Sequence, residues 1–530
     1  MFSNIDIKVY KGNKVQGIYL DIMTEDVNFG MRHKSTIPQD YKFKDLYSLP
    51  KTKRTYGSQF NQMYNQRVKS LKSRVMKMAI FKWKNETIND APVVYTNKIL
   101  DVKDSTPCYI IGTVFMDMKY KPNILKEVSE NMYAAPVIKD LSNLSKLDQI
   151  RTDSYSDPKT DQIMLEDESG RIVLDGELLD KIILATGAVV GLLGMEIESG
   201  VFTVVDIVYP EPSPQIPRLI TNNKNKIAFI SGINITPNDL ELGKLEILKD
   251  YLLGELMTDP KSLALISSIT RLVISGNSVR VNQNLIPNSG DSSNGSKNKH
   301  SMDKNKYRDL NKSNYNADAM RILDGFLYTL LSSMSITIMP GENDPSEIGL
   351  PQQEFHKSFF PQCKQYSSQS QQSSHFQLVT NPTWLEMDNV RMLGTSGENI
   401  NDVFKYLIPN IESGEIEFED SCCCKNEIIY QSRMKMYETS ILWQNIVPTS
   451  PDTLWCYPFE SEDPFTLTET PHVYFIGNQP SFETKMVELY NKNGDTIKTR
   501  IFSIPVFKET GEIVLLDTDT LDCSSIKICD

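Results

Sequence analysis

The sequence predicts a small all-β barrel followed by an α/β sheet covered by helices, and three observations predict it. Between 107 and 210, four or five short segments rich in β-branched and aromatic residues follow one another, punctuated by glycine. From 226 onward, strand-like segments alternate with amphipathic helical ones. A proline-rich stretch, "YPEPSPQIP" (209–217), separates the two rhythms and marks a domain boundary.

Residues 1–50, punctuated by Pro38 and Pro50, read as an N-terminal arm rather than a core. From 51 to 84 the basic residues Lys51, Lys53, Arg54, Arg67, Lys69, Lys72, Arg74, Lys77, Lys82 and Lys84 occur without one acid. Phe60, Tyr64, Leu71, Val75 and Met78 recur there at helical spacing, which predicts a helix over roughly 57–80 with one buried face. The charge run on it fits either a solvated face or a patch facing DNA or an acidic partner.

The barrel strands follow. "PCYIIGTVFMDM" (107–118) bends at Gly112. "DQIMLEDESGRIVLDGELL" (161–179) holds two strands about Glu168-Ser169-Gly170-Arg171, with Gly170 expected at positive φ. "IILATGAVVGLLGM" (182–195), too short to span a membrane, reads as two buried strands with a turn. A further turn is expected at Glu198-Ser199-Gly200. Short strands with glycine kinks predict a closed barrel, of which the OB-fold is the commonest of this size. Residues 51–215 thus read as a helix plus an OB-fold domain.

In 216–530, "KIAFISGIN" is a buried strand and "LELGKLEILKDYLLGEL" (240–256) a helix. "ITRLVISGNSV" (269–279), "ADAMRILDGFLYTLLSSM" (317–334) and "SITIMPG" continue as strand, helix, strand. Such alternation places functional loops at the strands' carboxyl ends. Three inserts interrupt it: 283–316, Asn/Ser/Lys-rich and expected to be disordered; 362–375, polar; and 411–427, acidic, with Cys422-Cys423-Cys424. Three adjacent thiols do not converge on one tetrahedral zinc, so an exposed loop is expected there.

At 530 residues the chain is long enough for two to four domains, with an ordinary globular composition (40% hydrophobic, 23% charged). A net charge of −12 excludes a uniformly basic, nucleic-acid-wrapping surface. The first residues carry no apolar run of the kind a secretory signal needs. The eight cysteines show no C-x-x-C spacing, which fits free thiols in cytosol or nucleus.

Several longer segments carry a likeness: "FISGINI" (229–235), "LVISGNSV" (272–279) and "MPGENDPSEIGLPQQEFHKSFFPQC" (339–363). With them go "TNPTWLEMDNVRMLGTSGENINDVFKY" (380–406), "LWQNIVPTSPDTLWCYPF" (442–459) and "PHVYFIGNQPSF" (471–482). They resemble the B-subunit family of replicative DNA polymerases, and most closely its delta branch. "GTVFMDMKYKPNILKEVSE" (112–130) and "IMLEDESGRIVL" (163–174) are similar to that family's OB domain. The resemblance implies an OB-fold barrel joined to an inactive calcineurin-like phosphoesterase domain, a β-sandwich flanked by helices.

An active site of that class holds two divalent cations about 3.5–4 Å apart on oxygen and nitrogen ligands. In the family pattern these come as Asp-x-His, Gly-Asp, Gly-Asn-His, a lone His and Gly-His-x-His. On this sequence Gly232 and Asn234 stand at the first Asp and His, and Asn277 at the bridging Asp. Glu342 and Asn343 occupy the Asn-His pair, Ser396 the lone His, and Asn478 and Pro480 the last two histidines. Every imidazole is gone, and only Glu342 among these offers an anionic oxygen. Two dications on neutral amides would be left without compensating charge, at a cost of several kcal/mol. The five histidines (His33, His300, His356, His375, His472) do not rebuild the site. The glycines and asparagines that remain serve tight turns. Trp384, Trp443, Trp455, Tyr457, Phe459 and Phe475 are expected in the core, with one or two facing a partner.

The resemblance thus implies no catalytic, cofactor or metal residue in this chain. It implies a nuclear scaffold bridging the cysteine-rich C-terminal domain of the DNA polymerase delta catalytic subunit to a third, clamp-binding subunit. The catalytic subunit of polymerase zeta is a further implied partner, the sliding clamp and DNA are at most indirect ones, and no membrane is involved. Zinc and iron-sulfur centres would belong to the catalytic partner. Two other readings stand beside it. One is a phosphodiesterase or nuclease using Glu342 and Asn277 around one metal. The other is a single-strand DNA binder acting through the barrel, weakened by the acids Asp161, Glu166, Asp167, Glu168, Asp175, Glu177 and Asp180.

Overall fold

The computed structural model describes residues 32, 41–122, 154–157, 160–198, 200–220, 222–236, 242–256, 259–280, 317–367, 375–407 and 424–528. Helix α1 (Asn61–Trp83) leads into a barrel of five strands: β1 (Cys108–Asp117), β2 (Gln162–Glu166), β3 (Arg171–Asp175), β4 (Val189–Glu198) and β5 (Val201–Val208). They pair in the order β1-β2-β3-β5-β4, and β4 returns to β1, so the ring closes and leaves no open edge among these five. A side chain at Gly112 would meet the Glu166 carbonyl at 2.6 Å, so only glycine lets β1 bend between β2 and β4 there.

The second half is a sandwich of two sheets. One contains β6 (Lys226–Ile230), β7 (Ile269–Ser275), β8 (Ser335–Met339) and β9 (Phe376–Leu378), all parallel, with β15 (Glu512–Asp517) and β16 (Cys523–Lys527) added antiparallel at the β6 edge. The other runs β10 (Thr383–Met387), β11 (Val390–Thr395), β12 (Val473–Gln479), β14 (Thr496–Pro505), β13 (Thr484–Tyr490). Ile227, Phe229, Val273, Phe475, Phe502 and Ile504 fill the space between them. Phe229 lies 5.0 Å from Phe475 and 5.1 Å from Phe502, centroid to centroid. The alternate residues Ala228, Ile230, Leu272 and Ile274 face helices α2 (Leu242–Leu253), α3 (Pro260–Ser268) and α4 (Ala317–Leu331). Burial on both faces is why "KIAFI" and "TRLVI" read as unbroken apolar runs. Helices α5 (Glu398–Lys405) and α6 (Cys424–Leu442) and the barrel cover the outer face of the second sheet, where Trp384, Tyr474 and Ile476 join one core with Ile110, Leu165 and Phe202.

The buried seam of α1 is Met63, Arg67, Leu71, Val75, Ala79 and Trp83, a strict i, i+4 row, rather than the face through Phe60 and Tyr64 that the apolar residues predict. Arg67 sits fully buried in it. Its Nε donates to Asp463 Oδ2 at 2.6 Å, Nη1 to the carbonyls of Pro448 (2.6 Å) and Gly187 (3.4 Å), and Nη2 to that of Ser450 (2.8 Å). Arg74, one pair of turns later, donates to the carbonyls of Glu211 and Leu467 and to Gln444 Oε1. The basic run is therefore not simply a solvated face: two of its arginines fasten the helix to the sandwich.

Other local expectations change as well. Residues 182–188 are an irregular approach to β4, so 182–195 holds one strand, not two. Gly170 stays out of the left-handed region; the β2–β3 turn is closed instead by the Asp167 carboxylate, which accepts from the Ser169 and Gly170 amides. Phe43 and Tyr47 are buried, Phe43 stacking on Trp384 at 4.7 Å, so 41–50 belongs to the core rather than to a free arm. The polar stretch 362–375 opens with a helical turn, Cys363–Ser367, whose Cys363 is buried. Cys424 begins α6, while Cys422, Cys423, the rest of 411–423 and the insert 283–316 lie outside the described residues.

Arg67→Ala strands a buried carboxylate, and the expected loss of stability is about 3–5 kcal/mol. A urea titration checks it; a midpoint equal to wild type at unchanged slope would show that the guanidinium holds nothing together.

Candidate functional site

The carboxyl ends of β6, β7, β8, β11 and β12 meet where the two sheets approach each other. What brings them so close is backbone chemistry. Gly276 takes φ +88°, and a side chain there would strike Ser396 Cβ at 2.6 Å. A Cβ on Gly341 would lie 2.6 Å from the Asn277 amide nitrogen; here closeness, not a positive φ, demands glycine. Asn234, Asn277 and Asn478 all sit in the left-handed region, at φ 50°, 54° and 53°. Asparagine is the side chain that best tolerates it, because its short amide hydrogen-bonds nearby backbone.

These asparagines knit the loops together. Asn277 Oδ1 accepts from the Asn343 amide at 3.0 Å, and the Asn277 carbonyl accepts from the Asn234 amide at 2.9 Å. Asn478 donates through Nδ2 to the Ser396 carbonyl at 2.8 Å and to that of Ser275 at 3.3 Å. Gly232 lies against Asn478, so that a side chain there would come within 2.9 Å of Oδ1. The structure thus gathers Gly232, Asn234, Asn277, Asn343, Ser396 and Asn478 in one place. Glu342 stands exposed at its mouth, and Pro480 is exposed beyond the end of β12.

Two acids that the motif comparison passes over lie inside. The Asp344 carboxylate accepts from the amides of Gly341 (2.9 Å) and Val279 (3.0 Å), and its burial pushes it up to about 7 against the pull of these bonds. Glu398 is partly buried beside Ser396, whose hydroxyl donates to Oε1 at 2.8 Å, while Asn381 Nδ2 holds the serine oxygen at 2.8 Å. Burial, and then the charge of Glu342, push the Glu398 carboxyl up to about 8. The signals were in the sequence, Asp344 directly after Asn343 and Glu398 two residues past Ser396; neither occupies a ligand position of the family pattern, so position alone did not mark them.

The donor set does not fit a bimetallic cluster. Asp344's oxygens are taken by its own loops, Glu398 is held toward its neutral form, and the remaining inward oxygens are amides and hydroxyls. Among the described residues, no group of three or more His, Cys, Asp or Glu is arranged to hold a metal ion. Asn234 Oδ1, Asn478 Oδ1 and Ser275 Oγ are buried without a hydrogen-bond partner among them. His472 and His375 stand at the amino ends of β12 and β9, opposite the site; His472 accepts from the Arg391 amide and donates to the Ile216 carbonyl. His356 caps the turn Lys357–Phe359, and His33 and His300 lie outside the described residues. No helix among the described residues is long and apolar enough to cross a membrane.

Two family models match this frame: that of the DNA polymerase delta subunit OB-fold domain over residues 59–207, and that of the B subunit of DNA polymerases alpha and epsilon over 227–484. The barrel is accordingly an OB-fold, and the whole is a polymerase B-type accessory subunit in class. Among similar proteins, the DNA polymerase delta small subunit of Saccharomyces cerevisiae is 38% identical over 92% of this chain and 93% of its own. That of Arabidopsis thaliana is 32% identical over 89% and 91%, and the DNA polymerase delta subunit 2 of Drosophila melanogaster 30% over 92% and 97%. The chain belongs to the DNA polymerase delta small-subunit family.

Because folded Glu398 holds its proton to about pH 8 and an unfolded glutamate only to about 4.5, stability is lost as pH rises through that window. Glu398→Gln removes the titration while keeping an acceptor for Ser396. The melting temperature of the variant minus that of wild type is therefore expected to grow from pH 5 to pH 8. A difference that stays flat in thermal scans would contradict a buried, protonated Glu398.

Proposed function

We propose that this chain is a non-catalytic accessory subunit of DNA polymerase delta, acting in the nucleus in replication and repair. It bridges the cysteine-rich C-terminal domain of the catalytic subunit to the third, clamp-binding subunit, and serves the polymerase zeta catalytic subunit in the same way. Its sandwich is a calcineurin-like phosphoesterase frame that no longer performs phosphoesterase chemistry. The observation that carries this reading is the fate of the acids at the strand ends. Asp344 is bound to the amides of Gly341 and Val279, and Glu398, partly buried, accepts from the Ser396 hydroxyl, so both acids are engaged by their own loops. Gly232, Asn234, Asn277, Asn343, Ser396 and Asn478 are retained as loop fasteners, and Glu342 and Pro480 as surface residues.

The relatives' names support the assembly, since each is called a subunit of DNA polymerase delta. Zinc and iron-sulfur chemistry, in this reading, resides in the catalytic partner. The chain contributes rigid surfaces on two firmly joined domains.

Co-expression with the catalytic subunit's tail and with the third subunit is expected to give one complex in affinity purification and gel filtration. Failure to retain either partner would overturn the bridging role. With manganese and bis-p-nitrophenyl phosphate, wild type is expected to show no turnover above that of Glu342→Gln. Hydrolysis that disappears in that variant would make the protein an enzyme after all.

A further inference from the structure

Large apolar side chains reach solvent together where three segments meet beside the α1–sandwich joint. Tyr56 and Trp455 are 72% and 41% exposed, and Phe60 and Ile348 lie open with them. The segments are pinned to one another. The Thr55 amide donates to Tyr457 Oη at 2.8 Å, and the Tyr56 ring meets the Tyr457 ring edge-on at 5.6 Å. The Leu350 amide donates to the Trp455 carbonyl, and the Tyr457 amide to the Leu350 carbonyl, both at 2.8 Å. Arg54 pairs with Glu347 at 2.5 Å, and Ser58 bonds Glu460. Beneath them, Tyr457 packs edge-on against Phe459, which is buried. Segments pinned to one another in this way lose little entropy when a partner covers them.

The surroundings say what kind of partner fits. Glu347 and Glu460, bonded to Arg54 and Ser58 of these segments, are exposed, as is Glu462 two residues further on, and Glu342 opens onto the same loop as Ile348. Arg54 is already spent on Glu347, and neither Glu460 nor Glu462 makes an ion pair among the described residues. Open aromatic faces bordered by carboxylates attract guanidinium and ammonium groups, through the ring quadrupole and through charge. They repel phosphate, and they repel a second copy of a chain whose net charge is −12.

We propose that Tyr56, Phe60, Ile348 and Trp455 form a docking surface for a basic segment of another polypeptide in the assembly. Its arginine or lysine side chains lie over the exposed rings and against Glu460 and Glu462, and its aliphatic stems cover Ile348 and Phe60. The inference rests on the accessory-subunit reading above and adds to it which surface is covered and by what chemistry.

A photoreactive p-benzoylphenylalanine in place of Trp455, in the full chain co-expressed with the other polymerase subunits, tests it. Irradiation of the purified complex is expected to join this position to a Lys/Arg-rich segment of another subunit, identified by mass spectrometry. Tyr56→Ser with Trp455→Ser is expected to weaken that association at least tenfold without moving the urea midpoint, and Glu460→Lys with Glu462→Lys to weaken it further at low salt than at high. A complex that forms but yields no cross-link, or a cross-link to a second copy, to DNA or to a segment lacking basic residues, overturns the docking surface and leaves the accessory role standing. If no subunit co-purifies at all, both fall.

Discussion

One guanidinium holds the two halves of this molecule at a fixed angle. Arg67 enters the joint from the barrel's helix and finds there the Asp463 carboxylate and carbonyls of Gly187, Pro448 and Ser450. Gly187 belongs to the barrel, the others to the loop between α6 and β12, so a single side chain binds three separate segments. A cation buried this completely has no stable alternative: either its partners are all in place or it costs several kcal/mol. That all-or-none character is what a hydrophobic contact in the same place would lack, because apolar surfaces slide over one another with little penalty. The Arg74 contacts to Glu211, Leu467 and Gln444 repeat the device about two turns along. The helix thereby acts as a pin between domains rather than as an appendage of the barrel.

The same logic governs the strand-end loops. In a bimetallic enzyme the acids at such positions are held near the surface of the pocket, charged, and facing cations. Here Asp344 has turned inward to satisfy amides that the tight turns at Gly276-Asn277 and Gly341 would otherwise leave unpaired. Buried backbone donors must be paired, and a carboxylate can accept from several of them at once. The raised affinity of Asp344 for its proton measures how far burial outweighs those bonds. At Glu398, desolvation outweighs the Ser396 hydrogen bond, and Glu342 adds like charge. A set of groups arranged this way stabilises loops well and binds dications poorly.

How much of this the sequence displays depends on the range of the interaction that decides each feature. Most barrel strands, α1, and the β6–β8 core with α2 and α4 are set by local periodicity and were legible from their own residues, whereas α3 was not read and 182–188 was read as a strand that does not form. The left-handed Asn277 and Asn478 were legible too, because Gly-Asn turns are a local signal. What was not legible is what distant contacts decide. Arg67 reads as one more charge on a basic helix until Asp463, some four hundred residues later, is placed beside it. Gly170 looked like a positive-φ turn, but the Asp167 side chain supplies the closing acceptors in its place. The burial of Phe43 and Tyr47 depends on Trp384 and Phe465, and nothing in residues 1–50 announces it. Asp344 and Glu398 stayed hidden for a different reason: a comparison confined to ligand positions cannot see an acid that has moved into a neighbouring one.

Rigidity at the joint and close packing at the strand ends belong together. A phosphoesterase needs room for water and phosphate between its two sheets, and loops that can reshape around them. Here the strand ends come so close that a side chain at Gly276 would lie 2.6 Å from Ser396 Cβ, which sets β7 against β11. Those loops continue directly into the surface: the segment after Gly341 runs through Glu347 and Ile348, and the loop that supplies Asp463 to Arg67 also supplies Trp455 and Glu460. The closed strand ends and the pinned helix therefore fix the position of the exposed rings from two sides. A partner binding those rings meets a surface whose conformational cost was met when the chain folded, and rigid presentation of that kind is the physical advantage of a large folded frame.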